Sequence, residues 1–140
     1  MRFARIPTIS ALAVAFYAVL TAPFAAFAFP GDKVVMQGLD KVTARISTFE
    51  ISLEEEVAFG TLRIRLRACD RTPPEEPPES AAFLEIIEVR PDERPETLFT
   101  GWMFASSPAL SALEHPVYDV WVKECVTSEP LDTGSSPPAQ

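Results

Sequence analysis

The sequence predicts an all-β domain, a small and mainly antiparallel barrel or sandwich of about five or six strands with one short helical turn before the last. Three observations carry this. Apolar and β-branched residues recur at alternate positions in several segments, as in strands with one buried face. Pro-, Gly- and Glu-rich turns separate these segments, and a single stretch, Ser106 to Pro116, has helical spacing. With 140 residues, the chain has room for one core.

The elements follow in order. Residues 29–38 show little pattern and are expected to form a flexible entry segment to a domain spanning 39–127. Lys41 to Ile46 places Val42, Ala44 and Ile46 on one face, whereas Phe49, Ile51 and Leu53 continue with opposite parity, so a bulge at Ser47-Thr48 is expected. Glu54 to Glu56 is a polar turn. Val57 and Phe59 precede Gly60, read as a bulge glycine. The clearest strand comes next, with Leu62, Ile64, Leu66 and Ala68 on one face and Arg63, Arg65 and Arg67 between them. Pro73 to Glu79 is an extended loop that donates few backbone hydrogen bonds. Ala82 to Arg90 is apolar on both faces, which predicts a central strand, and Thr97 to Ala105 is the strand after it. In the insertion that follows, Ser107 is the expected N-cap, Pro108 occupies the first helical position, and Leu110 and Leu113 share one side. Val117 to Val126 forms the last strand, and 128–140, rich in Pro, Ser and Gly, reads as a disordered tail.

The first 28 residues differ from all of this. Arg2 and Arg5 are their only charges, an apolar run extends from Ile9 to Leu20, and Ala26-Phe27-Ala28 offers the small residues of a leader-peptidase site. The pattern predicts a secretory signal peptide cut after Ala28. The run is short of the roughly 20 apolar residues of a bilayer span, so a soluble periplasmic product is expected. The alternative is a module tethered to the inner membrane by an uncleaved leader. Without the leader, 10 of the 12 Lys and Arg remain against 20 Asp and Glu, a net charge of −10. Such acidity disfavours nucleic acid and anionic membrane surfaces. In an oxidising compartment the two cysteines, Cys69 and Cys125, read as one disulfide, which joins the second long strand to the last if those strands are neighbours.

Little in the chain spells catalysis. Ser106, Ser107, His115 and Asp119 contain the letters of a nucleophile triad, but no G-x-S-x-G elbow surrounds either serine, and His115 is the only histidine. The glutamate-rich turns lack the alternating carboxylates and glycine of a calcium loop. No cofactor or metal is expected. The aromatic residues are more informative: Trp102 and Phe104 share one face of their strand, Trp121 stands on one face of the last, and Tyr118 on the other.

Gly101-Trp102-Met103-Phe104-Ala105-Ser106-Ser107-Pro108 and Leu113-Glu114-His115-Pro116-Val117-Tyr118-Asp119-Val120-Trp121-Val122 resemble the bacterial domain of unknown function 2155 family. Leu39 to Thr43, Phe59 to Leu62, Arg67-Ala68-Cys69 and Pro74 to Glu85 extend the resemblance over Leu39 to Cys125. It implies a small exported protein of Gram-negative bacteria with no established activity, and it motivates a respiratory partner, the NADH:quinone oxidoreductase of the inner membrane. The combined expectation is a periplasmic, non-enzymatic accessory or binding module whose interaction surface comprises Trp102, Phe104, Ser106, Ser107, His115, Tyr118 and Trp121. The rivals are a hydrolase or a ligand-binding barrel acting on envelope components.

Overall fold

The computed structural model describes residues 28–128, so the expected leader, apart from Ala28, and residues 129–140 of the expected tail lie outside them. Two antiparallel sheets face each other across one core. The elements are β1 (Phe29–Pro30), β2 (Lys33–Asp40), β3 (Arg45–Ser52), β4 (Glu56–Phe59), β5 (Leu62–Arg71), β6 (Ser80–Glu88), β7 (Glu96–Phe104), a 3-10 turn (Pro108–Ser111) and β8 (Tyr118–Val126). One sheet has the order β1-β5-β6-β7, with β4 on the same edge of β5 as β1, and the other has the order β3-β2-β8. The all-β class and the single turn before the last strand are as the sequence predicts.

Two expectations about the N-terminal part are corrected. Residues 29–38 are not a flexible entry: they hold β1 and most of β2, the centre of the three-stranded sheet. Lys41 to Ala44 is not strand but the turn between β2 and β3, closed by the Asp40 carboxylate, which accepts hydrogen bonds from the Val42 and Thr43 amides at 2.9 and 3.1 Å. Ala44 takes the left-handed conformation, φ 54°, that this turn needs. Val42 in this turn is 77% exposed, and Ile46 in β3 is 58% exposed. β3 pairs with β2 residue for residue, with no bulge at Ser47-Thr48.

The core is built from strict alternation. Val34 and Met36 of β2, Ile51 of β3, Leu62, Ile64 and Leu66 of β5, Leu84 and Ile86 of β6, and Val122 of β8 are almost wholly buried. Each such aliphatic side chain withdrawn from water stabilises by roughly 1.5–3 kcal/mol. Bulges then change the parity where it matters most. In β5 the pairing skips Arg67, so Cys69 turns inward where unbroken alternation would have placed Ala68. In β8 it skips Lys123, so Cys125 turns inward in place of Glu124. The two cysteines meet across the core with Cα atoms 5.8 Å apart and form a disulfide. Their strands are not neighbours in one sheet; the bond staples one sheet to the other.

Glycines admit aromatic rings at the far end of the sandwich. A side chain at Gly38 would strike the Phe59 ring, and one at Gly60 would overlap Tyr118. Gly60 also has φ +58° and lies in the tight β4–β5 hairpin, so it serves as a turn residue and not as a bulge. Gly60→Ala is expected to destabilise the domain by about 1–3 kcal/mol, measurable by urea unfolding. An unchanged midpoint would show that the ring has room to move.

Candidate functional site

The expected surface residues divide among three places. Trp102 and Phe104 alternate with the buried Met103, so they point away from the core on the outer face of the larger sheet. There Trp102, 37% exposed, meets Phe83 edge-on at 5.5 Å between centroids. Ser106 is turned toward Glu79, whose carboxylate accepts from both the Ser106 hydroxyl and its amide. Ser107 precedes the 3-10 turn but makes no side-chain cap, and its carbonyl accepts from the Leu110 amide at 3.1 Å. The segment is thus one turn of tight helix, with Leu110 75% exposed while Leu113 is buried.

His115 lies in the interior, 7% exposed. Its Nδ1 accepts from the amides of Val117 and Tyr118 at 3.1 and 3.0 Å, and its Nε2 is 3.1 Å from Oε1 of the buried Glu88. An acceptor on one nitrogen places the proton on the other, so Nε2–H donates to Glu88. Glu88 also accepts from Thr61 at 3.0 Å and from Arg90 at 2.7 Å. Burial alone would push the Glu88 carboxyl up, but the bonds from Arg90, His115 and Thr61 outweigh it and hold its pKa below the ordinary glutamate value. Lys41 reaches over the cluster, donating to the His115 carbonyl at 2.8 Å and pairing with Asp119 at 2.9 Å. Tyr118 stacks on the imidazole at 5.2 Å and continues to Phe59 and Phe49. Of the four triad letters, Ser106 is thus bonded to Glu79, His115 to Glu88 and Asp119 to Lys41. Both ring nitrogens serve to hold the chain between the 3-10 turn and β8.

Trp121 belongs to the third place, the outer face of the three-stranded sheet. Val34 and Met36 point inward, so Val35, Gln37 and Leu39 point outward. In register, Leu39 lies between Ile46 of β3 and Asp119 of β8, and Gln37 lies between Thr48 and Trp121. Residues directly opposite one another share a face, so Ile46, Leu39 and Trp121 form a diagonal apolar band outside the core. The band ends in a groove of about 430 Å³ between the 3-10 turn and β8, lined by Pro108, Ala109, Ala112, Leu113, Val120 and Trp121, with Asp119 as its charged member.

Residues 34–125 of the chain match the model of an uncharacterized protein family conserved in bacteria, DUF2155. The chain belongs to that family. The DUF2155 region begins at buried Val34 and ends at buried Cys125, so it takes in both sheets, the disulfide, the Glu88–His115 cluster and the groove. The chain is also similar to the uncharacterized protein RP359 of Rickettsia prowazekii (strain Madrid E), 36% identical over 87 residues, which are 62% of this chain and 56% of that protein. It therefore spans little more than half the length of the curated relative it matches. No solved structure matches the chain.

Sequence reasoning reached one member of the outer band, Trp121, and missed Leu39 and Ile46, placing the first at the start of the domain and the second on one face of a strand over Lys41 to Ile46 with no direction given to that face. The available signal was in β2, where Val34, Val35, Met36 and Leu39 give apolar residues at both parities. A strand so composed has both faces covered or one face that binds.

Proposed function

We propose that this DUF2155 protein is an exported, non-enzymatic accessory module that binds a protein partner on the outer face of its three-stranded sheet. One observation carries the reading: the band of Ile46, Leu39 and Trp121, with the adjoining groove, lies on the face that an isolated antiparallel sheet keeps polar. Export is supported by the leader pattern of residues 1–28 and by a disulfide of the kind that persists in oxidising compartments. No helix among the described residues is long and apolar enough to cross a membrane. The narrower form of the proposal places the partner in an inner-membrane respiratory complex, the NADH:quinone oxidoreductase.

The test is capture from gently solubilised membranes by the tagged protein and by a Leu39→Arg/Ile46→Arg double variant. Both substitutions fall on outward positions, so the melting temperature should stay within about 2–4 °C of the parent, as for surface changes of up to ~0.5 kcal/mol. The partner captured by the parent should be lost from the variant. Equal capture by both would remove this face from the interface, and respiratory-complex subunits in the parent lane would establish the narrower form.

A further inference from the structure

We propose that the partner engages this face through an extended segment that adds as a strand to the free edge of β8, with alternating apolar and basic side chains; this rests on the reading of the outer face given above. β8 pairs with β2 on one side, and no strand among the described residues pairs with its other side. The direction of its backbone groups follows from two bonds and the alternation of the strand. The Val117 carbonyl accepts from Lys41, the residue after β2, so position 117 faces β2. Successive residues of a strand alternate, so Tyr118, Val120 and Val122 face away. Where the chain enters the strand, the Val117 and Tyr118 amides both donate to His115 Nδ1. Beyond the bulge at Lys123, the Cys125 amide bonds the Ser80 hydroxyl on the far side. The two ends of the edge are thus occupied, by His115 and by Ser80. Between them the amides and carbonyls of Val120 and Val122 face the side on which the 3-10 turn and its groove lie.

The sides of an added strand meet different chemistry. Its inward-facing residues lie beside Val120 and Val122 and over the groove walls of Pro108, Ala109, Ala112 and Leu113, which takes one large apolar side chain. Its outward-facing residues lie beside Asp119, Trp121, Lys123 and Glu124, with exposed Glu114 next in sequence to Leu113. Lys41 answers Asp119 and Lys123 stands beside Glu124, which leaves exposed Glu114 without an ion-pair partner among the described residues, on a chain of net charge −10 without its leader. Carboxylates beside an edge strand select lysine or arginine on the segment that joins it, and main-chain bonds supply affinity independent of sequence.

The test uses the folded protein without its leader and three synthetic octapeptides. One alternates lysine with valine around a central leucine, the second has glutamate for every lysine, and the third is a scramble of the first that breaks its alternation. Amide exchange followed by NMR should show the first peptide slowing the Val120 and Val122 amides and leaving Trp102 unchanged, with the other two weaker by about tenfold or more. Ala112→Trp, at an exposed position that fills the groove, should weaken the first peptide by a similar factor, and Trp102→Ala on the opposite sheet should leave it within about twofold. Protection absent from Val120 and Val122, equal binding of the glutamate peptide, or binding insensitive to Ala112→Trp would each overturn strand addition. If membrane capture is still lost in the Leu39→Arg/Ile46→Arg variant while these peptide results fail, the outer face stands as the interface and the extended segment does not.

Discussion

Reduction of the Cys69–Cys125 bond, or its replacement by a pair of serines, is expected to lower the melting temperature by on the order of 20 °C. The bond closes a loop across a sequence separation of 56 residues, and the chain-entropy model assigns such a loop about 4 kcal/mol. In a domain of this size each kcal/mol moves the midpoint by several degrees. The placement strengthens the expectation. Both cysteines are only 3% exposed, and the bond joins β5 of one sheet to β8 of the other instead of reinforcing a ladder that backbone hydrogen bonds already hold. Gly31 crosses between the sheets beside it, its amide bonded to the Cys69 carbonyl at 2.7 Å and a Cβ there blocked by the Val126 carbonyl. Scanning calorimetry with and without reductant measures the effect. A shift of only a few degrees would mean that the sheets hold together by packing alone.

The second large effect is expected at His115. Truncation to alanine leaves the Val117 and Tyr118 amides without their acceptor and removes a donor from Glu88, a loss of about 3 kcal/mol. His115→Gln should recover part of it, because a carboxamide offers both an acceptor and a donor. The same cluster governs acid stability. Glu88 in the folded protein has a pKa below its ordinary value of 4.5, as burial is outweighed by the bonds from Arg90, His115 and Thr61. A lowered carboxylate pKa stabilises the fold above the ordinary value, and that contribution is lost as pH falls through 4.5 toward the folded-state pKa. Asp40, Glu55 and Glu79 act in the same sense. The Thr43 amide bonds Asp40, the Ser52 amide bonds Glu55, and for Glu79 burial is overcome by Ser106. Urea midpoints should therefore fall below about pH 4.5, and Glu88→Gln should flatten part of that decline. A decline equally steep in the variant would move the acid response to the other three carboxylates.

The strands most readily legible in the sequence were those with a regular period. Leu62, Ile64 and Leu66 alternate with arginines, and β6, β7 and β8 begin and end within a few residues of where their turn signals fall. The entry strand was not legible, because Val34-Val35-Met36 has no period of two and Gly38 reads as a breaker. In the fold Gly38 is the position over which the Phe59 ring lies. The false strand over Lys41 to Ala44 arose because its hairpin carries none of the usual Gly, Asn or Pro and is closed by the Asp40 carboxylate instead. The cysteines' inward direction was equally hidden. It depends on bulges at Arg67 and Lys123, and neither residue type marks a bulge. For the surface, Trp102 and Trp121 looked like one aromatic cluster because their segments are close in sequence. They stand on different sheets and point in opposite directions from the core, which only the pairing of β7 with β6 and of β8 with β2 could determine.

The outer face of the three-stranded sheet as the binding surface is tested most directly by photocrosslinking in growing cells. A photoreactive amino acid would replace Ile46 in one strain and Trp102, on the outer face of the other sheet, in a second. A discrete adduct to one partner from Ile46 and none from Trp102 is the result expected. An adduct from Trp102 with none from Ile46 would contradict it.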